Sequence, residues 1–296
     1  MNSAHFEGLT AATTANIVRK SRIVDVVTRK DGYPIPTWID LNVTELCNRR
    51  CVFCPRVSDD LYPNQPLHIS DATIGNIVNG LNEIGFEGIV VLSGYGEPLL
   101  HPDLPGIVRR LASRKWRVEL VTNGDKLRAD SARRLFDAGL NYFVVSLYDG
   151  PEQIEHFNGL FAAAGVGLDG YTLRDRWYDE SQDFGLKLTS RVGNVEVSKG
   201  LTKTLDNPCF YTSYSMSLDW NGDVLLCVQD WDKRVKFGNV NDQSLPTIWT
   251  SPAMMKRRMA LIRGDRCQSP CLKCDTNGKV HGNLHAQAWT ATDTAS

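Results

Sequence analysis

The chain has 296 residues, 33 of them basic and 34 acidic, for a formal net charge of −1, a balance that argues against a polyanion-binding surface and against nucleic acid as a partner. The N-terminal MNSAHFEGLTAATTANIVRK contains no apolar targeting core, and no run approaches the roughly 18 apolar residues of a membrane helix. A cytoplasmic chain with no membrane partner is expected, and eight cysteines in that reducing compartment point to metal ligation rather than disulfides.

Residues 1–34 are too few for an independent domain and read as an N-terminal extension. From Ile35 onward short apolar strands alternate with amphipathic helices, the pattern of a parallel sheet joined by right-handed crossovers. Strands are predicted at 36–43, 88–93, 116–121, 141–147, 170–175 and 186–191. Helices are predicted at 71–84 behind Ser70, at 102–114 with Pro102 in the first turn, at 130–138 ahead of Gly139, and from Pro151 to Ala164. The fold class is α/β, and six strands suggest an open, partial barrel with its active residues at the strand ends.

The first of these strands runs into CNRRCVFC, which holds Cys47, Cys51 and Cys54 in a C-x3-C-x2-C spacing. Three thiolates on one short loop can hold three corners of a four-iron cluster and leave one iron open for chemistry. Cysteines at this spacing also bind zinc, but a structural zinc site closes with a fourth ligand. The next histidine, His68, lies 14 residues beyond Cys54. The second strand ends in Gly94, Tyr95, Gly96, Glu97 and Pro98, where the two glycines supply permissive backbone.

The cysteine loop and the YGEP turn together resemble the radical S-adenosylmethionine (SAM) superfamily, whose cluster loop is C-x3-C-x2-C and whose second strand ends in a GGEP-like motif. This chain carries Tyr95 where the first glycine of that motif usually stands. The resemblance implies a partial (β/α)6 barrel over residues 35–200, a SAM-binding [4Fe-4S] cluster, and SAM itself, cleaved reductively to a 5′-deoxyadenosyl radical that removes hydrogen from a substrate carbon. It also implies cofactor contacts from Gly94, Tyr95, Gly96, Glu97 and Pro98, from Thr122 and Asn123 after the third strand, from Ser146 on the fourth, and from the arginines and serine that follow: Arg174, Arg176, Ser190 and Arg191. An arginine fork suits a carboxylate, so Arg174 is a candidate for that of SAM or of the substrate.

The last 90 residues change character. Alternating strands flank Asn221-Gly222, a hairpin signal. Cys209 and Cys227 bracket that hairpin, and Cys271 and Cys274 form a C-x2-C beyond it. Residues 201–280 resemble the SPASM or twitch domain that follows many radical SAM barrels, which implies an auxiliary [4Fe-4S] cluster on those four cysteines, with residues 281–296 as a tail. Four thiolates suit zinc equally well. Cys267 is left over, as a replacement ligand, a passive residue or a thiol able to return a hydrogen atom to a substrate radical.

The leading expectation is an epimerase of a sugar or aminocyclitol with Cys267 as hydrogen donor. Dehydrogenation of a carbinol to a ketone, with the auxiliary cluster as electron acceptor, is the first alternative. Maturation of a ribosomal peptide and a non-enzymatic electron-transfer or sensor role are the others. Trp177, Tyr178, Trp220, Trp231 and Trp289 are candidates to stack on a sugar ring. Flavodoxin or ferredoxin is the expected electron donor. The basic helix predicted at 254–266 is a candidate dock for it or a solvated face, and His281 and His285 read as surface or cap residues.

Overall fold

The protein is represented by a computed structural model, which describes residues 11–114, 116–176, 189–195 and 203–293. Helix α1 (Ala11–Val24) precedes a two-strand hairpin, β1 (Arg29–Lys30) and β2 (Tyr33–Pro34), and strand β3 (Trp38–Leu41). There follow α2 (Asp71–Glu83), β4 (Ile89–Leu92), α3 (Leu104–Ala112), β5 (Arg117–Thr122), α4 (Ala129–Asp137), β6 (Tyr142–Leu147), α5 (Glu152–Ala164) and β7 (Tyr171–Asp175). Period-two alternation sets the two faces of the sheet: Ile39, Leu41, Val90, Leu92, Val118, Leu120, Phe143 and Val145 pack beneath the helices, while Trp38, Asp40, Ser93, Glu119 and Ser146 face the lumen.

The helices start where the chemistry places them. Ser70 accepts the Thr73 N–H at 3.1 Å to cap α2, and Asp103 accepts that of Gly106 at 3.0 Å to cap α3. The second cap moves the helix expected at 102–114: Pro102 stands outside it, and Pro105 occupies its first turn.

Strands β3 to β7 are parallel in sequential order. The first half of the sixth predicted strand, 186–191, falls outside the described residues, and Arg191–Asn194 form a turn, so Ser190 and Arg191 belong to an irregular segment rather than to a strand. The free edge of β3 is taken instead by β8 (Ser215–Leu218), parallel to it, after the short helix α6 (Tyr211–Tyr214). Antiparallel β9 (Asp223–Leu225) and β10 (Lys236–Asn239) extend this sheet, which has eight strands among the described residues. Residues 35–200 and 201–280 thus share a sheet. Helices α7 (Leu245–Trp249), α8 (Pro252–Ile262) and α9 (Asn283–Asp293) close the chain.

Several C-terminal expectations are corrected by burial. Trp289 is fully buried and packs edge-on against Trp249, so it is core rather than a sugar platform. His285 is also fully buried and His281 half-buried; desolvation lowers their imidazoles to about 4 and about 3, so neither is a surface residue. Gly282, at φ +85°, separates His281 from the helix that carries His285. Trp220 is half-buried against the main core.

Helix α8 is shorter than 254–266 and is not a uniformly solvated face. Arg258 is fully buried, its guanidinium 4.1 Å from the Trp249 ring centre and 3.8 Å from that of Trp289. It donates to the carbonyls of Thr212 at 2.7 Å and Trp249 at 3.0 Å. Burial pushes its guanidinium down to about 9. Arg258→Met would leave both carbonyls unpaired and remove two cation–π contacts, so denaturant unfolding should show a loss of about 3 kcal/mol. A loss near zero would mean that the carbonyls find other donors.

Candidate active site

A cavity of about 380 Å³ opens at the C-terminal ends of the parallel strands. Cys47, Cys51 and Cys54 all border it, and among the described residues no fourth cysteine and no histidine does. The loop that carries them is clamped to the barrel rim. Arg49 donates through Nε and Nη2 to Asp125 at 2.7 and 2.5 Å, and through Nη1 and Nη2 to Asp149 at 2.7 and 2.5 Å. Asn123 Nδ2 donates to Asn48 Oδ1 at 3.0 Å, Phe53 stacks on Tyr148 at 5.5 Å, and Asn64 holds both the N–H and the carbonyl of Cys47. Burial pushes all three thiols up, that of Cys51 to about 12. Left to themselves they stay protonated, whereas coordinated iron would hold them as thiolates. Three thiols bordering one cavity, with no fourth cysteine and no histidine beside them among the described residues, fit a four-iron cluster that keeps one iron open.

The YGEP turn lies against this loop. Gly94 has φ +134°, and a Cβ there would stand 2.8 Å from Asn42. At Gly96 a Cβ would fall 2.0 Å from the carbonyl oxygen of Thr44 and 2.9 Å from that of Leu46, just ahead of Cys47. Asn42 Oδ1 accepts the N–H groups of Tyr95 at 3.1 Å and Gly96 at 3.3 Å. Glu97 is buried as a latch: it accepts from Thr122 Oγ1 at 2.6 Å, Asn123 N at 2.8 Å and Leu99 N at 3.0 Å. Burial lifts its carboxyl to about 7 against those three donors. Tyr95, in the place of the usual glycine, packs between Tyr62 and Trp231, and its carbonyl accepts from Arg56 Nε. Gly96→Ala would therefore drive the turn off the cysteine loop. The expected result is a loss of about 1–3 kcal/mol in stability and of SAM affinity in equilibrium binding; unchanged affinity would contradict the close approach.

Of the other positions expected to meet SAM, Thr122, Asn123, Ser146, Arg174 and Arg191 border the cavity together with Gly94, Tyr95, Gly96 and Glu97. Pro98 does not; it begins a short 3-10 turn. Arg174 Nη2 donates to Ser146 Oγ at 2.8 Å. Arg176 is half-buried and off the cavity wall, and Ser190 N donates to Asp275 Oδ2 at 2.7 Å, so that serine ties down the terminal loop. Sequence reasoning missed Asn42, the clamp by Arg49, and the four charged residues Arg19, Lys20, Asp40 and Glu119 on the lumen wall. Period-two alternation in β3 and β5 was the available signal for the two carboxylates; α1 carried none.

Cys209, Cys227, Cys271 and Cys274 border a second, smaller cavity. Burial raises the thiols of Cys209, Cys227 and Cys271, the last to about 11. Four cysteines bordering one cavity make a donor set that fits a fully ligated four-iron cluster. Cys267 is exposed and borders neither cavity; its N–H donates to Asp265 Oδ1 at 3.0 Å. That position gives no support to a hydrogen-donor role. The hairpin after β9 lies between the cavities: Cys227 borders one, Val228 and Trp231 the other, and Arg191 Nη1 bridges to Gln229 Oε1 at 3.0 Å. Trp177 and Tyr178 lie outside the described residues.

Comparison with known proteins agrees with this geometry. A family model of the radical SAM superfamily matches residues 41–161, and a model of an iron-sulfur cluster-binding domain, SPASM, matches residues 209–275. An S-adenosyl-L-methionine-dependent 2-deoxy-scyllo-inosamine dehydrogenase of Niallia circulans is 26% identical over 243 residues, which is 81% of this chain and 92% of that protein. An Fe-coproporphyrin III synthase of Methanosarcina barkeri is 27% identical over 62% of this chain, which spans only 44% of that relative. Among solved structures, BtrN in complex with AdoMet and 2-DOIA superposes with a TM-score of 0.71 at 22% identity, over 86% of this chain and 98% of that one; this likeness is one of fold.

Proposed function

The chain belongs to the radical SAM superfamily, carries a SPASM domain and takes SAM and two [4Fe-4S] clusters as cofactors, and from that premise we propose that it oxidises a secondary alcohol of a small aminocyclitol-like substrate to a ketone. The observation that carries this reading is the adjacency of the two sites, with consecutive residues Cys227 and Val228 bordering the auxiliary and the central cavity. When bound, SAM and its cluster supply a carbon radical able to remove a hydrogen atom, and the second cluster supplies an electron acceptor.

The chain's own residues hold and shield that chemistry. Cys47, Cys51 and Cys54 leave an iron free for SAM, while four cysteines around the second site leave no open position, as suits electron transfer. Arg174, fixed by Ser146, and Arg191, fixed by Gln229, offer guanidinium donors on the cavity wall. Epimerisation would need a hydrogen donor at the central cavity, and Cys267 is exposed away from it. The name of the Niallia circulans relative supports both the dehydrogenation and the substrate class. An acidic one-electron donor, flavodoxin or ferredoxin, completes the reading; exposed Lys256, Arg263 and Lys273, on α8 and the terminal loop, offer a complementary face.

The test is anaerobic turnover of 2-deoxy-scyllo-inosamine with SAM and dithionite in deuterated water. A product lighter by two hydrogens, with no solvent deuterium on carbon, is expected. A product of unchanged skeleton carrying carbon-bound deuterium would overturn the reading in favour of epimerisation.

A further inference from the structure

Below the strand ends, the lumen carries charge that the SAM-binding rim does not use. Arg19 and Lys20 enter from α1, Asp40 from β3 and Glu119 from β5, and all four border the central cavity. Strand register puts both carboxylates at one level, since Asp40 and Glu119 each stand opposite Val91 of the intervening β4. With strands about 4.8 Å apart, their backbones are separated by about 10 Å.

Glu119 is only 1% exposed. Its Oε1 accepts from Arg117 Nε at 2.8 Å and from Arg19, while Oε2 has no hydrogen-bond partner among the described residues. A buried carboxylate oxygen without a donor is costly unless something that binds in the cavity supplies one. Lys20 stands 4.0 Å over the Trp38 ring centre, and Trp38 Nε1 donates to Asp40 Oδ1 at 3.0 Å. Burial lowers the Lys20 ammonium to about 8 and raises the Asp40 carboxyl, as expected for a desolvated floor. The charge count decides what suits this place: Arg19, Lys20 and Arg117 face two carboxylates, a surplus of cations that disfavours a further ammonium. A neutral group that both donates and accepts satisfies Glu119 and Lys20 together.

We propose that Glu119 Oε2 and Lys20 Nζ form a hydroxyl-reading subsite on the lumen floor, in which one ring hydroxyl of a polyol donates to Glu119 and a hydroxyl oxygen accepts from Lys20. Helix α1 is then part of the substrate site and not merely an extension. The identity of the substrate rests on the dehydrogenase reading; the subsite itself rests on the lumen geometry.

The experiment is equilibrium binding by the SAM-loaded holoenzyme of two probes, 2-deoxy-scyllo-inosamine and its deaminated counterpart, in which a hydroxyl replaces the amine. Glu119→Gln and Lys20→Met should each weaken both probes at least about tenfold, with SAM affinity and both clusters' absorbance retained. Should Glu119→Gln not retain its clusters, Lys20→Met decides by the same criterion. Affinities within about twofold of the wild type would overturn the subsite, and a loss confined to the amine would overturn it in favour of an ammonium site. Wild-type protein that cleaves SAM but binds neither probe would sink the substrate class and the inference together, whereas normal wild-type binding with unaffected variants sinks the inference alone.

Discussion

Replacing Cys47, Cys51 and Cys54 together by alanine is expected to abolish 5′-deoxyadenosine formation, below detection, while the protein keeps its second cluster. These are the only cysteines that border the central cavity among the described residues, and no histidine stands there to substitute. Iron content should fall from about eight to about four per chain. The fold has no reason to collapse with the loop's metal, because the Arg49 clamp to Asp125 and Asp149 and the Glu97 latch to Thr122 and Asn123 remain. Continued 5′-deoxyadenosine production by the triple variant would place SAM cleavage elsewhere.

The second large effect is expected at Cys227. Cys227→Ala removes one of the four proposed ligands of the auxiliary site, on the hairpin that separates the two cavities. If the second cluster is the electron acceptor, SAM cleavage in the presence of substrate should persist while ketone formation falls by at least about a hundredfold, a barrier increase of about 2.7 kcal/mol. Uncoupling is the diagnostic, because a purely structural role would depress both quantities in parallel. Equal loss of 5′-deoxyadenosine and ketone would therefore argue against an electron-accepting role. Circular dichroism and SAM binding of the variant separate that case from unfolding.

Much of this arrangement was legible along the chain, and the reasons are local. CNRRCVFC and the YGEP turn are contiguous motifs, and β4, β5, β6 and β7 lie within a residue or so of their predicted bounds because apolar runs flanked by glycine and cap residues mark strands well. What was not legible depends on pairings far apart in sequence. Asn42 reaches Asp219 at 2.8 Å, Glu45 binds both Arg56 and Lys233, and Lys233 reaches Asp219 at 2.6 Å. This network joins the cysteine loop to the C-terminal hairpin, and no periodicity announces it. Likewise β8 pairs with the free edge of β3 across more than a hundred residues of sequence.

Burial of polar residues misled the sequence reading in the same way. Arg258 on a basic helix looks solvated until Trp249 and Trp289 close over it, and His285 looks like a surface residue until α9 folds back onto α6. Arg19 and Glu119 are a hundred residues apart, yet they form an ion pair on the lumen wall, beside Lys20. Such charged groups inside a barrel run against the usual preference of charge for the surface. Their position is the clearest sign that the lumen is built for a polar guest.

The most direct test of the account follows one hydrogen atom. 2-Deoxy-scyllo-inosamine carrying deuterium at the carbinol carbon should, under anaerobic reduction, yield the ketone together with 5′-deoxyadenosine that contains that deuterium. Unlabelled 5′-deoxyadenosine, or retention of the deuterium in the recovered carbinol, would contradict the assignment of this cavity to carbinol oxidation.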